Sequence, residues 1–169
     1  MEKLETATFG GGCFWGTEEL FRQILGVKET AVGYMGGNKE NPTYKEVCED
    51  TTGHVEVVQM TYDPSVTTYD KLLEVFWMAH HPTQANGQGN DIGSQYRPVI
   101  FYHSPEQKKL AEKSKKEEQK KHSDPIATSI EPAATFWKAE EYHQRYLVKN
   151  PGGYCHINVR AVLAKAQPK

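Results

Sequence analysis

Short apolar stretches separated by glycine and proline run through the chain, and their periods predict alternating strands and helices. Thr6 to Phe9 reads as a short strand that ends in Gly10-Gly11-Gly12. From Cys13 to Leu25, the residues Leu20, Phe21, Ile24 and Leu25 recur at helical spacing until Gly26 stops them. Val27 to Met35 predicts a second strand, closed by Gly36-Gly37-Asn38, and Lys39 to Gly53 a polar loop. His54 to Tyr62 is rich in β-branched residues and lies between Gly53 and Asp63-Pro64, which makes it a third strand. Leu72, Leu73, Phe76 and Trp77 mark one side of a helix from Tyr69 to His80, ahead of a Gly- and Asn-rich loop from His81 to Gly93. Tyr96 to His103 predicts a strand with an irregular start, because Pro98 cannot donate to a ladder. Ser104-Pro105 opens a helix that runs to His122. Ile126 to Glu131 predicts a short strand and Phe136 to Leu147 a helix, after which Asn150-Pro151-Gly152-Gly153 releases a tail.

The order β-α-β-β-α-β, then α-β, implies an α+β two-layer sandwich with helices mainly on one face of a mixed sheet. Its centre would be a ferredoxin-like βαββαβ core, with extra elements and an irregular C-terminal tail. No repeat or linker is visible, so residues 1–169 read as a single domain with 148–169 as the tail. A chain of 169 residues is long enough to bury a real core. Its formal charge of −2 argues against a general grip on nucleic acid. The mixed-sign run from Glu106 to Lys121 fits a solvated helix face, because its charges alternate at i,i+4 spacing. No apolar run approaches the roughly 20 residues of a membrane span, and Met1 to Phe9 lacks the parts of a signal peptide. These features predict a soluble cytoplasmic protein. Three widely spaced cysteines do not form a secreted disulfide framework, although a transient catalytic disulfide is allowed.

Cys13 stands out within Gly10-Gly11-Gly12-Cys13-Phe14-Trp15-Gly16. The glycines suit a sharp strand-to-helix turn, which would place Cys13 at a helix N-terminus, where free N–H groups and the macrodipole favour a thiolate. Phe14 and Trp15 add apolar surface fit to hold a small uncharged group such as a methyl. The alternative is a packed cysteine at a helix start beside two core aromatics.

Five further segments bear on that choice: Tyr44-Lys45-Glu46-Val47-Cys48, Gly53-His54-Val55-Glu56-Val57-Val58, Gly89 to Arg97 (GNDIGSQYR), Phe136 to Gln144 (FWKAEEYHQ), and Lys149 to Cys155 (KNPGGYC). Together with Gly12-Cys13-Phe14-Trp15-Gly16 they resemble the type A peptide-methionine sulfoxide reductases over nearly the whole chain. The resemblance implies reduction of the S form of methionine sulfoxide, free and in peptides and proteins, in repair after oxidative damage. Cys13 would then be the nucleophile. Glu56, a carboxylate inside an apolar strand where desolvation raises its pKa, would protonate the sulfoxide oxygen; on residues alone it also fits an edge-strand glutamate facing water. Tyr44 and Tyr96 resemble the family's two phenols that hydrogen-bond that oxygen, with solvated rim aromatics as the alternative. Asp91 resembles a residue that orients the site, although it could equally cap its loop.

The same resemblance makes Cys155 the resolving cysteine, which would close a disulfide with the Cys13 sulfenic acid for thioredoxin to reduce. A passive tail thiol is the other reading. Cys48 reads as packing behind the pocket, with a relay role left open. No bound cofactor is implied, and the expected state is a monomer. His80-His81 and Cys155-His156 lack the paired spacing of a closed zinc site, so no metal is expected. Three positions depart from the family pattern: His81 where aspartate is usual, Gly87 where arginine is usual, and Pro98 where serine often follows Tyr96-Arg97. They put loop stability and substrate-rim contacts in question. Two rival functions use the same residues: a thiol peroxidase built on Cys13 and Cys155, and a non-enzymatic module that binds oxidised peptides through the aromatic pair.

Overall fold

The computed structural model describes residues 3–167, so the extreme ends of the single 1–169 domain expected above lie outside the described residues. In chain order the elements are β1 (Glu5–Gly10), α1 (Phe14–Phe21), β2 (Val27–Met35), α2 (Tyr44–Cys48), β3 (Val55–Tyr62), α3 (Tyr69–Ala79), β4 (Gly87–Gln88) and β5 (Asp91–Ile92). They continue with β6 (Val99–Tyr102), α4 (Pro105–Gln119), β7 (Ser129–Pro132), β8 (Trp137–Lys138), α5 (Tyr146–Lys149) and α6 (Val159–Ala166). Single 3₁₀ turns occupy Ser94–Tyr96 and Glu141–His143.

The main sheet has the order β7-β6-β1-β3-β2-β8. Its four inner strands are antiparallel, and β7 joins β6 in parallel, which makes the sheet mixed. β1-α1-β2-β3-α3-β6 is therefore the expected βαββαβ core, with β1 and β3 at its centre. Side chains alternate between faces along each strand. Register sets Glu56, Val58 and Met60 of β3 on the same face as Tyr34 and Val32 of β2 and as Phe9 and Ala7 of β1. α1 and α3 cover this face with Leu20, Phe21, Leu72, Leu73 and Phe76. Phe9 stacks on Phe21 and on Phe76 at centroid distances of 5.4 and 4.9 Å. Met35, Val55, Val57, Val99 and Phe101 fill the opposite face under Ala133 and Phe136. Glu56 thus enters the helical layer as a carboxylate among apolar neighbours.

Several boundaries differ from those the periodicity predicts. α1 stops at Phe21, and Leu25 is 73% exposed, because Gln23 and Ile24 donate to carbonyls three residues back before the turn at Gly26. The polar loop contains α2, opened by a capping box in which Thr43 and Glu46 satisfy each other's backbone N–H groups. The largest correction is at Phe136 to Leu147, where one helix was expected. Trp137–Lys138 instead adds strand β8 to the edge of β2, and Arg145 at φ 52 separates the following 3₁₀ turn from α5. Two features select this path. Gly33 has no Cβ, which allows the Phe136 ring and the Trp137 carbonyl to press against β2. The buried Gln144 amide then extends the ladder, accepting from Val32 N and donating to Val32 O, each at 2.9 Å. The tail is also more ordered than expected: Asn158 caps α6, whose Val162 and Ala166 are buried. Gln167 closes the arrangement by accepting from Leu25 N at 2.6 Å.

Candidate active site

The turn after β1 has Gly12 at φ 80, and Gly12 N donates to Tyr96 O at 3.0 Å, which joins the turn to the 94–96 segment. Cys13 follows as the N-cap of α1 and is 7% exposed. The expectation of a depressed thiol pKa is reversed: burial, reinforced by the Glu56 carboxylate, pushes the Cys13 thiol well above its ordinary value. The reason lies in where the helix's free N–H groups point. Cys13 N donates to Asp91 Oδ2 at 3.3 Å and Phe14 N to Glu56 Oε1 at 3.2 Å. Two carboxyl groups occupy the N-terminus that the sequence assigned to the thiolate, and Trp15 N–H is left to favour the sulfur.

Glu56 is 1% exposed. Burial, together with nearby Asp91 and against the Phe14 N–H, raises its carboxyl from 4.5 to about 8. Its Oε2 has no hydrogen-bond partner and is buried, so a proton can sit on a free oxygen inside the site. Tyr44 and Tyr96 are half-buried, and burial followed by the Glu56 charge pushes both phenols up. They therefore stay protonated as donors, with Tyr96 also among the electrostatic neighbours of Cys13. Asp91 links several groups. Besides Cys13 N, it accepts from the Tyr154 hydroxyl at 3.0 Å and lies 3.9 Å from His156 Nδ1. Its place on β5 depends on Gly87 across the hairpin. Gly87 has φ 148, and a Cβ there would collide with the Asp91 carbonyl, so the departure at this position suits this backbone. The departure at His81 is likewise accommodated: its backbone N–H and C=O both pair with the Gln88 amide. Pro98 leads into β6 and lends its carbonyl to Ser129 N at 3.1 Å.

The aromatic pair divides into two roles. Phe14 is 1% exposed, packed on Tyr34, Tyr44 and His143, whereas Trp15 is half-buried. Trp15 stacks on Tyr146 with centroids 3.7 Å apart, and its Nε1–H donates to His143 Nδ1 at 2.9 Å. Three residues that sequence reasoning did not single out hold this wall. Glu140 accepts from the Tyr34 hydroxyl and from Tyr44 N, each at 3.0 Å, and so fixes the start of α2. His143 lies against Tyr44 with ring centroids 4.4 Å apart. Glu18 is buried and binds the Thr30 hydroxyl at 2.8 Å and Arg145 N at 2.6 Å, anchoring the chain just before Tyr146. Glu140 and His143 lie within the 136–144 motif, but a helical reading of that segment scatters its polar residues around an axis. Glu18 left no signal beyond its charge.

Cys155 arrives from the far end of the chain against the first turn of α1. A Cβ at Gly16 would stand 2.8 Å from its Sγ, and the half-buried thiol donates to Ile157 O at 3.2 Å. All three cysteines are free thiols. Cys48 does not pack behind the site: it is exposed at the end of α2, beside Tyr44 and Gln95. His80 is buried between Phe76 O at 2.6 Å and Thr128 Oγ1 at 2.8 Å, as a satisfied core residue.

The folded chain has clear relatives. The family model for peptide methionine sulfoxide reductase matches residues 5–169. A peptide methionine sulfoxide reductase MsrA from Geobacter sulfurreducens is 62% identical over 154 residues, covering 90% of this chain and 95% of that protein. Among solved structures, reduced Mxr1 from Saccharomyces cerevisiae is 43% identical with a TM-score of 0.87, covering 93% of this chain and 91% of that one. Mxr1 in complex with Trx2 is also similar, at 31% identity and a TM-score of 0.62, covering 85% of each chain. The fold, the free thiol at the head of α1 and these likenesses agree: the chain belongs to the type A peptide methionine sulfoxide reductases, oxidoreductases that reduce methionine sulfoxide.

Proposed function

We propose that the chain reduces the S epimer of methionine sulfoxide, free and in peptides and proteins, repairing oxidative damage in the cytoplasm as a monomer without a bound cofactor. Each sulfoxide epimer has its own reductase class, and membership of the type A group supports the S form. The observation that carries the mechanism is Glu56: a buried carboxyl raised to about 8, with one unpartnered oxygen, held by the N–H of the residue after Cys13.

The chemistry follows from three groups in one place. A sulfoxide oxygen leaves poorly unless protonated, and Glu56 carries a proton at neutral pH to give it. Tyr44 and Tyr96, kept as neutral phenols, donate to the charge that gathers on that oxygen. As Cys13 sulfur attacks, its proton passes to the Glu56 carboxylate, so the raised thiol pKa and the raised carboxyl pKa work as one coupled proton exchange. Thiol and sulfoxide become Cys13 sulfenic acid and methionine. Trp15 offers the accessible apolar face for the substrate methyl, with Phe14 as the floor beneath it. Cys155 then attacks the sulfenic sulfur, water leaves, and a Cys13–Cys155 disulfide remains. The complex formed by Mxr1 with Trx2 supports a thioredoxin as the dithiol that reopens it.

The test is a comparison of initial rates on the two methionine sulfoxide epimers and on hydrogen peroxide, read as thioredoxin oxidation. Turnover confined to the S epimer is expected. Equal turnover of both epimers, or faster turnover of peroxide, overturns the reading.

A further inference from the structure

We propose that His156 is the proton acceptor for Cys155 in the step that converts the Cys13 sulfenic acid to a disulfide. This rests on the Cys13–Cys155 reading above. The His156 side chain is 6% exposed, yet one of its two nitrogens is unused. Nε2 lies 3.0 Å from Gly11 O, an atom that can only accept. The ring proton therefore sits on Nε2, and Nδ1 carries the lone pair. Nδ1 is buried without a hydrogen-bond partner.

Its direction gives that lone pair a purpose. A Cβ on Gly16 would stand 3.2 Å from His156 Nδ1 and 2.8 Å from Cys155 Sγ, so both atoms converge on the first turn of α1, next to Cys13. Gly12 makes the approach possible, because a Cβ there would lie 2.6 Å from Nε2. The Asp91 carboxylate, 3.9 Å from Nδ1, would stabilise the positive charge of an imidazolium. Asp91 also holds Cys13 N, so one carboxylate ties the sulfenic acid end to the base. Burial keeps the imidazole below its ordinary pKa and pushes the Cys155 thiol up, so the ring is neutral and the thiol needs a base.

The step balances. The Cys155 S–H turns from Ile157 O, which it meets at 3.2 Å in the resting thiol, toward Nδ1; Nδ1 takes its proton, the sulfur attacks Cys13 sulfur, the S–O bond breaks, and the proton joins the leaving hydroxide as water. The sulfenic sulfur is reduced and the Cys155 sulfur oxidised, with no outside oxidant.

His156→Gln separates this role from a structural one, because the amide can still donate to Gly11 O but accepts no proton. The reduced enzyme is mixed with one equivalent of a methionine sulfoxide peptide, without reductant, and quenched at intervals. Product peptide and the Cys13–Cys155 disulfide are then counted by mass. The methionine-forming step should stay within about twofold of the parent, while disulfide formation slows by about 10²-fold or more, as for loss of a general base. Sulfenic acid should accumulate and be trapped by a cyclic 1,3-diketone. Disulfide formation at the parent rate overturns the proposal. So does equal slowing of both steps, which would make the ring a prop for the Gly11–Cys13 turn. His156→Asn is run alongside and decides the matter on the same criteria should the glutamine variant not fold. Absence of the disulfide in the unsubstituted enzyme would instead refute the Cys13–Cys155 reading beneath it.

Discussion

Replacing Glu56 by Gln should trade activity for stability in a pH-dependent way. The carboxyl is raised from 4.5 to about 8 in the folded chain, while the unfolded chain keeps the ordinary value. Between those values the unfolded state has lost a proton that the folded state retains, so folding stability falls as pH rises through this window. The slope is about 1.4 kcal/mol per pH unit, and the whole span is worth on the order of 4–5 kcal/mol. The substituted glutamine would still accept from Phe14 N, as Glu56 Oε1 does at 3.2 Å, but it does not titrate. Its amide leaves a buried donor unsatisfied, a cost of roughly 1–3 kcal/mol that is independent of pH. Other shifted groups, such as buried Glu18, are common to both proteins and cancel in the difference. Urea unfolding of parent and variant at several pH values from 5 to about 8 should show the parent losing ground steadily to the variant. At neutral pH the variant's methionine-forming step should be about 10²-fold slower or more. Parallel stability curves would refute the buried protonated carboxyl, and an unchanged rate would place the acid elsewhere.

Three more outcomes follow from the same contacts. Cys13→Ser should abolish sulfoxide reduction, whereas Cys155→Ser should complete about one turnover and stall, as single-turnover product counts will reveal. Gly16→Ala places a methyl 2.8 Å from Cys155 Sγ; methionine release should persist while disulfide formation slows about tenfold, consistent with overpacking of about 1–3 kcal/mol. Gln144→Ala removes the amide that pairs with Val32 N and O and with Ala139 O, each at 2.9 Å, and should cost about 2–4 kcal/mol in urea unfolding.

Particular residues mark how far the sequence could be read. The βαββαβ core was legible because Gly26, Gly53 and Asp63-Pro64 punctuate runs whose periods are unambiguous, and β1, β2, β3 and α3 lie where those runs do. The facing of Glu56 was not legible from alternation. Val55, Val57 and Val58 are all buried, since both faces of β3 are covered, and pairing with Tyr34 settles which face Glu56 takes. At Cys13 the helix start was read correctly and its electrostatics were not. The sequence cannot disclose that Asp91, far along the chain, and Glu56 claim the first two N–H groups. The segment 136–147 failed for a related reason: its path depends on a missing Cβ at Gly33 and on the Gln144 side-chain amide pairing with the Val32 backbone, both long-range facts. Cys155 was placed by its motif, but an irregular tail released at Asn150-Pro151-Gly152-Gly153 does not describe its setting. Tyr154 on Asp91 and His156 on Gly11 hold it from both sides.

The central claim is that Cys13 is the nucleophile and Cys155 its resolver. Mass spectrometry on the reduced enzyme after one equivalent of methionine sulfoxide, with no reductant present, tests both at once. The account predicts one methionine per enzyme and a Cys13–Cys155 disulfide, with Cys48 still a free thiol. A disulfide that includes Cys48, or methionine formed with Cys13 left as a thiol, would contradict it.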